Sequence, residues 1–339
     1  MNEHNINGNR FFNQDCVTGS RTHIEDGSVD LIITDPPYGI NGDTLHKHYY
    51  RDEGYVIDGY VEVPAEKYSE FSHSWINEAE RILKPNGQIY IVSGYTNLYY
   101  VLEALRATKL KEINHIIWKY NFGVFTSAKY VSSHYHILYY AKPGKGKKTF
   151  NTESRYGLTE QKEDGGSLNY EDREDVWVIN REYKPGQVKN KNELPTELLI
   201  KMIQYSSNQG DLVCDLFMGG FTTAKVAIGL GRKFVGFEIS KSIFEQKITD
   251  IESIKPGYLY ETLRVPEANT RHNQGKGWDA ADVKALLKRY NALRNANCSK
   301  KDAIAMLSDE FGRGRWAIER QLKKNHAEID ESQQLKLID

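Results

Sequence analysis

The sequence predicts a doubly wound α/β sheet followed by a small helical module. Three observations carry this reading. Short apolar runs each end in a loop of Gly, Pro or Asp, amphipathic helical spacing lies between them, and the composition changes after about Pro266. Runs of this kind are apolar throughout because strands of a parallel sheet are covered on both faces.

The first run, Val29 to Thr34, stops at Asp35-Pro36-Pro37-Tyr38. Behind it Tyr68, Phe71, Trp75, Ala79, Ile82 and Leu83 recur at helical steps, and Lys84-Pro85-Asn86-Gly87 ends that helix as a turn. Gln88 to Val92 is the second run, before Ser93-Gly94. Pro195 suits a first helical turn, with Leu198, Leu199, Met202 and Ile203 on one face. Leu212 to Leu216 then enters Phe217-Met218-Gly219-Gly220, and Lys233 to Phe237 ends at Glu238. Between Pro143 and Lys191 the chain is polar and glycine-rich, with little periodicity beyond Val176-Trp177-Val178-Ile179, and is read as an inserted recognition region.

In the last segment Val283, Leu286, Leu287, Tyr290 and Leu293 mark one helix. Ser299 with Asp302 opens a second through Ile304, Leu307 and Phe311, and Gly312-Arg313-Gly314-Arg315 turns into a third with Trp316, Ile318 and Leu322. This is the pattern of a helix-turn-helix reader, and equally of a three-helix packing or dimerisation appendage. The expected organisation is two half-sheets, 1–142 and 192–265, an insert at 143–191, and a helical module at 266–339.

A formal charge of -1 excludes attraction of nucleic acid by the chain as a whole, so such contact must rest on local clusters. One is Lys142, Lys145, Lys147 and Lys148; a looser one is Arg181, Lys184, Lys189 and Lys191; a third is Arg313, Arg315, Arg320, Lys323 and Lys324. Each alone also fits a solvated charged face. With 22 tyrosines, many must face solvent or a ligand. Cys16, Cys214 and Cys298 are odd in number and far apart, which points to neither a disulfide framework nor a zinc site. The N-terminus is polar and no apolar stretch approaches the ~18 residues of a membrane span, so a cytoplasmic protein with reduced thiols is expected.

Asp35-Pro36-Pro37-Tyr38 is the most informative tetrapeptide. The lone pair of a base amine is delocalised into the ring, and acceptors around its N–H bonds draw the nitrogen toward tetrahedral geometry. The Asp35 carboxylate and Pro36 carbonyl supply two such acceptors, while the prolines restrict the loop. Tyr38 offers a face on which an extruded base stacks. A plain strand-terminating turn is the competing account. In Asp215-Leu216-Phe217-Met218-Gly219-Gly220-Phe221-Thr222-Thr223-Ala224 a strand meets glycines and a helix start, which admits a ligand close to the backbone and presents N–H groups to an anion. Glu238, one strand later, is placed for ribose hydroxyls, or for a strand-end salt bridge.

These residues resemble the amino-methyltransferases of DNA, in the group whose catalytic motif precedes the cofactor motif. The resemblance covers roughly residues 10 to 245. It implies a Rossmann-like methyltransferase sheet in circularly permuted motif order, with 1–142 as the catalytic half and 192–265 as the half that binds S-adenosylmethionine. Asp15 matches the family's acid on the cofactor adenine, and Ser133-His134-Tyr135-His136-Ile137-Leu138 resembles the segment that helps form the target-base pocket. Leu194-Pro195-Thr196-Glu197-Leu198-Leu199 resembles the helix over the methionine part of the cofactor.

By the same resemblance Asp35, Pro36, Pro37 and Tyr38 are catalytic, and Asp15, Asp35, Pro195, Asp215, Phe217, Gly219, Thr222, Thr223 and Glu238 bind the cofactor. The implied activity is methyl transfer from S-adenosylmethionine to N6 of adenine in duplex DNA after base flipping, without a metal. Homodimers and a cognate restriction endonuclease are the implied partners. In two places the chain departs from the family pattern. Phe221 stands where the loop's last glycine is usual, and Asn190-Lys191-Asn192-Glu193-Leu194-Pro195 replaces the usual His-Pro-Thr-x-Lys-Pro, so a reshaped cofactor pocket is expected. Cytosine N4 as the target, methylation of RNA or of a protein amide, and a DNA-binding regulator on a degenerate methyltransferase fold are the alternatives.

Overall fold

The structure is a computed structural model that describes residues 3–39, 63–121, 123, 125, 127–182, 193–267, 273 and 276–334. Lys184, Lys189 and Lys191 of the second basic cluster lie outside the described residues. The chain forms two compact units, one of residues 1–155 and 170–265, the other of 156–169 and 266–339.

The strands are β1 (Glu3–Ile6), β2 (Asn9–Phe12), β3 (Val29–Thr34), β4 (Leu83–Ser93), β5 (Lys111–Lys119), β6 (His134–Ala141), β7 (Val176–Val178), β8 (Leu212–Asp215) and β9 (Lys233–Phe237). The helices are α1 (Cys16–His23), α2 (Tyr68–Ile82), α3 (Leu98–Arg106), α4 (Leu168–Asp172), α5 (Thr196–Ser206), α6 (Thr222–Gly229) and α7 (Lys241–Glu252), then α8 (Ala280–Asn295), α9 (Lys300–Glu310) and α10 (Arg315–Gln334).

One sheet runs in the order β1-β2-β9-β8-β3-β4-β6-β5-β7. The block β2-β9-β8-β3-β4 is parallel, whereas β6 is antiparallel to both β4 and β5. Alternation along β3 decides what each face packs against. Leu31 and Ile33 join Leu198 and Ile203 of α5, Ala227 of α6 and Phe244 of α7 in one core. Ile32 points the other way, into a second core with Cys16 of α1, Trp75 of α2 and Val101 of α3. Helices on both faces make this the doubly wound, Rossmann-like sheet that the apolar runs predict.

All four predicted runs are strands, but the sheet is larger than those four. The segment Lys84–Gly87, expected as a turn outside the sheet, lies within β4, where the register against β3 jumps from Val29↔Leu83 to Leu31↔Gln88. Asn86 takes φ 66° there, so the excursion is turn-like even though the strand resumes. The short Val176–Val178 pairs with β5 and extends the same sheet.

Lys142 does not face toward the strand ends that carry Asp35. Since β6 runs antiparallel to β4, Lys142 follows the end of β6 paired with Gln88, at the opposite end of the sheet from Thr34 and Ser93. Its Nζ donates to the carbonyl of Glu80 at 2.7 Å, capping α2, where a cation offsets the negative end of the helix dipole. Lys145 and Lys147 are exposed beyond it, and Lys148 lies over the Phe150 ring at 5.7 Å. This cluster therefore lies about 20 Å, a strand's length, from the strand ends that carry Asp35.

In the other unit, Leu286 and Tyr290 of α8, Ile304 and Leu307 of α9, and Ile318 and Leu322 of α10 form a core of their own. Ser299 caps α9 by accepting from the Asp302 N–H at 3.1 Å. Arg313, expected on a DNA-facing surface, is 4% exposed and donates to the carbonyls of Lys276 and Gly277 at 2.6 and 2.8 Å while lying over Trp278 at 4.2 Å. Arg315 and Arg320 are exposed, and so is Trp316, expected as part of the helix's apolar face, at 85%. Hydrogen bonds from a charged donor are worth about 1.5–3 kcal/mol each. Arg313→Met should therefore cost this unit about 2–4 kcal/mol, seen as faster amide exchange in α8, α9 and α10, whereas Arg320→Ala should leave exchange there unchanged.

Candidate active site

β3 and β8 are neighbours, so the loops that leave their C-terminal ends meet, although about 180 residues separate them in sequence. The Thr34 hydroxyl donates to Asp215 Oδ1 at 3.0 Å, and the Phe217 N–H donates to the same oxygen at 3.0 Å. The turn out of β8 is thus fixed against the end of β3. A ligand crevice at the carboxyl ends of central strands is the usual consequence of this topology.

A cavity of about 280 Å³ opens here. Of the residues expected from sequence, Asp15, Asp35, Pro37, Tyr38, Asp215, Phe217, Gly219, Thr222, Thr223 and Glu238 line it. Pro36 and Pro195 do not. Pro36 is buried beneath the loop, and Pro195 is the N-cap of α5 rather than part of its first turn, with ψ 141°; its neighbours Glu193 and Leu194 reach the cavity instead.

The Asp35–Tyr38 loop is held by two hydrogen bonds from outside it and one within it. Tyr68 of α2 donates its hydroxyl to the Pro37 carbonyl at 2.8 Å, and Asn97 donates its amide to the Tyr38 carbonyl at 2.6 Å. The Tyr38 hydroxyl donates to Asp35 Oδ1 at 2.6 Å. Tyr38 is 9% exposed, with its ring packed on Tyr135 of β6 at 5.6 Å. Its first task in this arrangement is to hold the carboxylate, and the ring is not an open platform.

Burial pushes the Asp35 carboxyl up to about 7, against the pull of the Tyr38 hydroxyl and of Arg181, with Asp215 adding to the rise. Burial likewise raises Asp215 to about 6 and Glu238 to about 7. Glu238 Oε2 accepts the Gly219 N–H at 2.9 Å and Oε1 accepts the Ser240 N–H at 2.8 Å. A carboxylate has about four acceptor positions, so two of Glu238's remain for hydroxyls. Asp15 caps α1 by accepting from the Thr18 N–H at 2.9 Å.

Phe221 supplies the N-cap of α6 in the left-handed region, φ 60°, where a side chain costs about 1–2 kcal/mol. Its ring is fully buried, stacked on Phe11 at 5.9 Å and edge-on to Phe244 at 5.6 Å. The aromatic packing offsets the backbone strain, and the ring fills the sheet's core. A Cβ on the preceding Gly220 would meet the end of the Glu193 side chain, which would have to swing aside.

Sequence reasoning missed Glu193, Gln14, Ile239 and Ile243 in the lining. Glu193 stands in no apolar pattern and reaches the cavity only through tertiary packing, near Lys247 Nζ at 3.9 Å. It also missed Thr34, whose polar side chain at the end of an apolar run was the available signal. Among the described residues no group of three or more His, Cys, Asp or Glu is placed to hold a metal ion, and no helix is long and apolar enough to cross a membrane.

Residues 29–249 match the model of the DNA methylase family. Among curated relatives, the type II methyltransferase M.HpaI of Haemophilus parainfluenzae is 32% identical over 70% of this chain and 72% of its own length. The type II methyltransferase M.HinfI of Haemophilus influenzae is 28% identical over 76% and 72%. The fold resembles a DNA modification methylase of Thermus thermophilus complexed with S-adenosyl-L-methionine, with a TM-score of 0.52 at 22% identity over 72% of this chain and 93% of that one. It also resembles the cytosine-N4-specific PvuII DNA methyltransferase, with a TM-score of 0.51 at 16% identity over 73% and 92%.

Phe221→Gly should relieve the left-handed strain but forfeit a buried aromatic worth about 3–5 kcal/mol. The net expectation is a loss of about 2–3 kcal/mol in urea unfolding, and a variant as stable as the parent would show that the ring is dispensable.

Proposed function

The chain belongs to the DNA methylase family, and we propose that it transfers a methyl group from S-adenosylmethionine to N6 of adenine within duplex DNA. The observation that carries this is the meeting of the acidic proline loop and the glycine loop in one cavity. The cavity's chemistry fits the cofactor. Phe217, Ile239 and Ile243 give apolar contact for a purine, Glu238 keeps acceptor capacity for ribose hydroxyls, and the N-terminal end of α6 at Thr222 and Thr223 favours a carboxylate. When bound, S-adenosylmethionine supplies an electrophilic methyl on a sulfonium.

The remaining work falls to this chain. Asp35, which lines the cavity, accepts an N–H of the base amine and draws its lone pair out of conjugation with the ring. Tyr38 and Asn97 fix the carboxylate and the loop, so no rearrangement is needed at the moment of transfer. An aspartate opening the tetrapeptide, where cytosine-N4 enzymes often carry serine, supports adenine over cytosine. The base leaves the duplex to reach so enclosed a carboxylate. Residues from 143–191 contribute recognition, and exposed Arg315 and Arg320 on α10 contribute phosphate contacts.

The test is label transfer from radioactive S-adenosylmethionine to genomic DNA of a methylase-deficient bacterium, followed by nucleoside chromatography. N6-methyladenine is expected; N4-methylcytosine would overturn the base assignment, and unlabelled DNA the activity. Asp35→Ala should lower the rate about a thousandfold or more while cofactor affinity stays within about threefold. Because the ionised carboxylate is the stronger acceptor and burial pushes the Asp35 carboxyl up to about 7, the parent's rate should fall by up to about tenfold per pH unit below that point. For the helical unit, the double change Arg315→Ala with Arg320→Ala should weaken DNA binding and flatten its salt dependence by about two ions in gel-shift titrations.

A further inference from the structure

An arginine outside every motif stands behind the catalytic loop. Arg181, two residues beyond Ile179 at the sheet edge, has its guanidinium 5.0 Å from the centre of the Tyr120 ring, 5.1 Å from Tyr135 and 5.7 Å from Trp118. Its backbone approach is fixed, since the Trp118 indole donates to the Ile179 carbonyl at 2.8 Å and the Ile179 N–H donates to the Lys119 carbonyl at 3.1 Å. Tyr120 and Tyr135 pack on each other at 5.5 Å, and Tyr135 packs in turn on Tyr38. Contacts therefore run without a break from Arg181 through Tyr135 and Tyr38 to Asp35.

Asp35 faces Tyr38 of its own loop, Tyr135 of β6, Asp215 at the end of β8 and Arg181 beyond β7. Arg181 is the one cation among them, and Asp215 opposes it. The Nε of Arg181 is buried with no hydrogen-bond partner. Aromatic faces compensate a cation without competing for its charge.

We infer that Arg181 is a positioning residue for Asp35, holding the Tyr135–Tyr38 stack that anchors the carboxylate and bringing to it the positive charge that favours its ionised form, the stronger acceptor. This rests on Asp35 being the acceptor for the base amine. It also assigns a task to the segment before residue 192 that sequence reading left to DNA recognition alone.

The experiment compares the full chain with Arg181→Met and Arg181→Lys, measuring kcat against pH on the same genomic DNA and cofactor affinity by calorimetry. Arg181→Met should move the acid limb of kcat upward by about one pH unit, cutting kcat near pH 7 about tenfold, with cofactor affinity changed less than threefold. Arg181→Lys, which keeps the charge and loses the planar stacking, should return the limb most of the way toward that of the parent. A second readout needs no turnover: the side-chain carboxyl resonance of Asp35, assigned by its loss in Asp35→Asn, should titrate at higher pH in Arg181→Met. An acid limb and a carboxyl titration both unmoved in Arg181→Met would overturn the inference and leave the methylase reading standing. A parent chain that labels no DNA would overturn that reading instead, and the carboxyl titration would still decide whether Arg181 acts on Asp35.

Discussion

The rest of the structure depends on the adjacency of β3 and β8, closed by the Thr34 hydroxyl on the Asp215 carboxylate. That pairing brings the acidic proline loop against a glycine loop encoded far away in the chain. Both loops are stiff for local reasons, one through paired prolines and the other through a glycine at φ 48° and a left-handed cap. The strands add what neither loop has alone, a fixed separation.

Three carboxyls gather at the ends of β3, β8 and β9, and burial raises each above its ordinary range. A carboxyl that is harder to ionise folded than unfolded costs stability, and for Asp35 the cost begins near pH 4 and is complete above about 7. The fold tolerates this by meeting each carboxylate with donors. Tyr38 serves Asp35, Thr34 and the Phe217 amide serve Asp215, and the Gly219 and Ser240 amides serve Glu238. These donors come from the loops and strand ends themselves, so the carboxylates are held by the fold.

Basic residues show how far charge alone misleads. Lys142 and Arg313 read in sequence as members of nucleic-acid patches, yet one closes the end of α2 and the other is the buried centre of a small helical core. Arg181, from the loosest of the clusters, packs over the Tyr135 ring, and its charge lowers the Asp35 carboxyl. The direction of a single strand separates these fates, because the antiparallel turn of β6 sends Lys142 to the far end of the sheet and brings Tyr135 beside Tyr38.

The sequence by itself determined the parallel strands, the acidic proline loop, the glycine loop and the acid after β9, and it determined the Ser299 cap. Each is written in a few consecutive residues, as an apolar run, a restricted dihedral or a side chain that reaches its own backbone. The tertiary structure alone decided that β5, β6 and β7 extend the same sheet, that the Phe221 ring fills a core, that Glu193 reaches the cavity and that Arg181 packs over Tyr135. Those outcomes depend on partners distant in the chain, and short-range periodicity holds no information about which distant surface an edge strand, a ring or a guanidinium will meet.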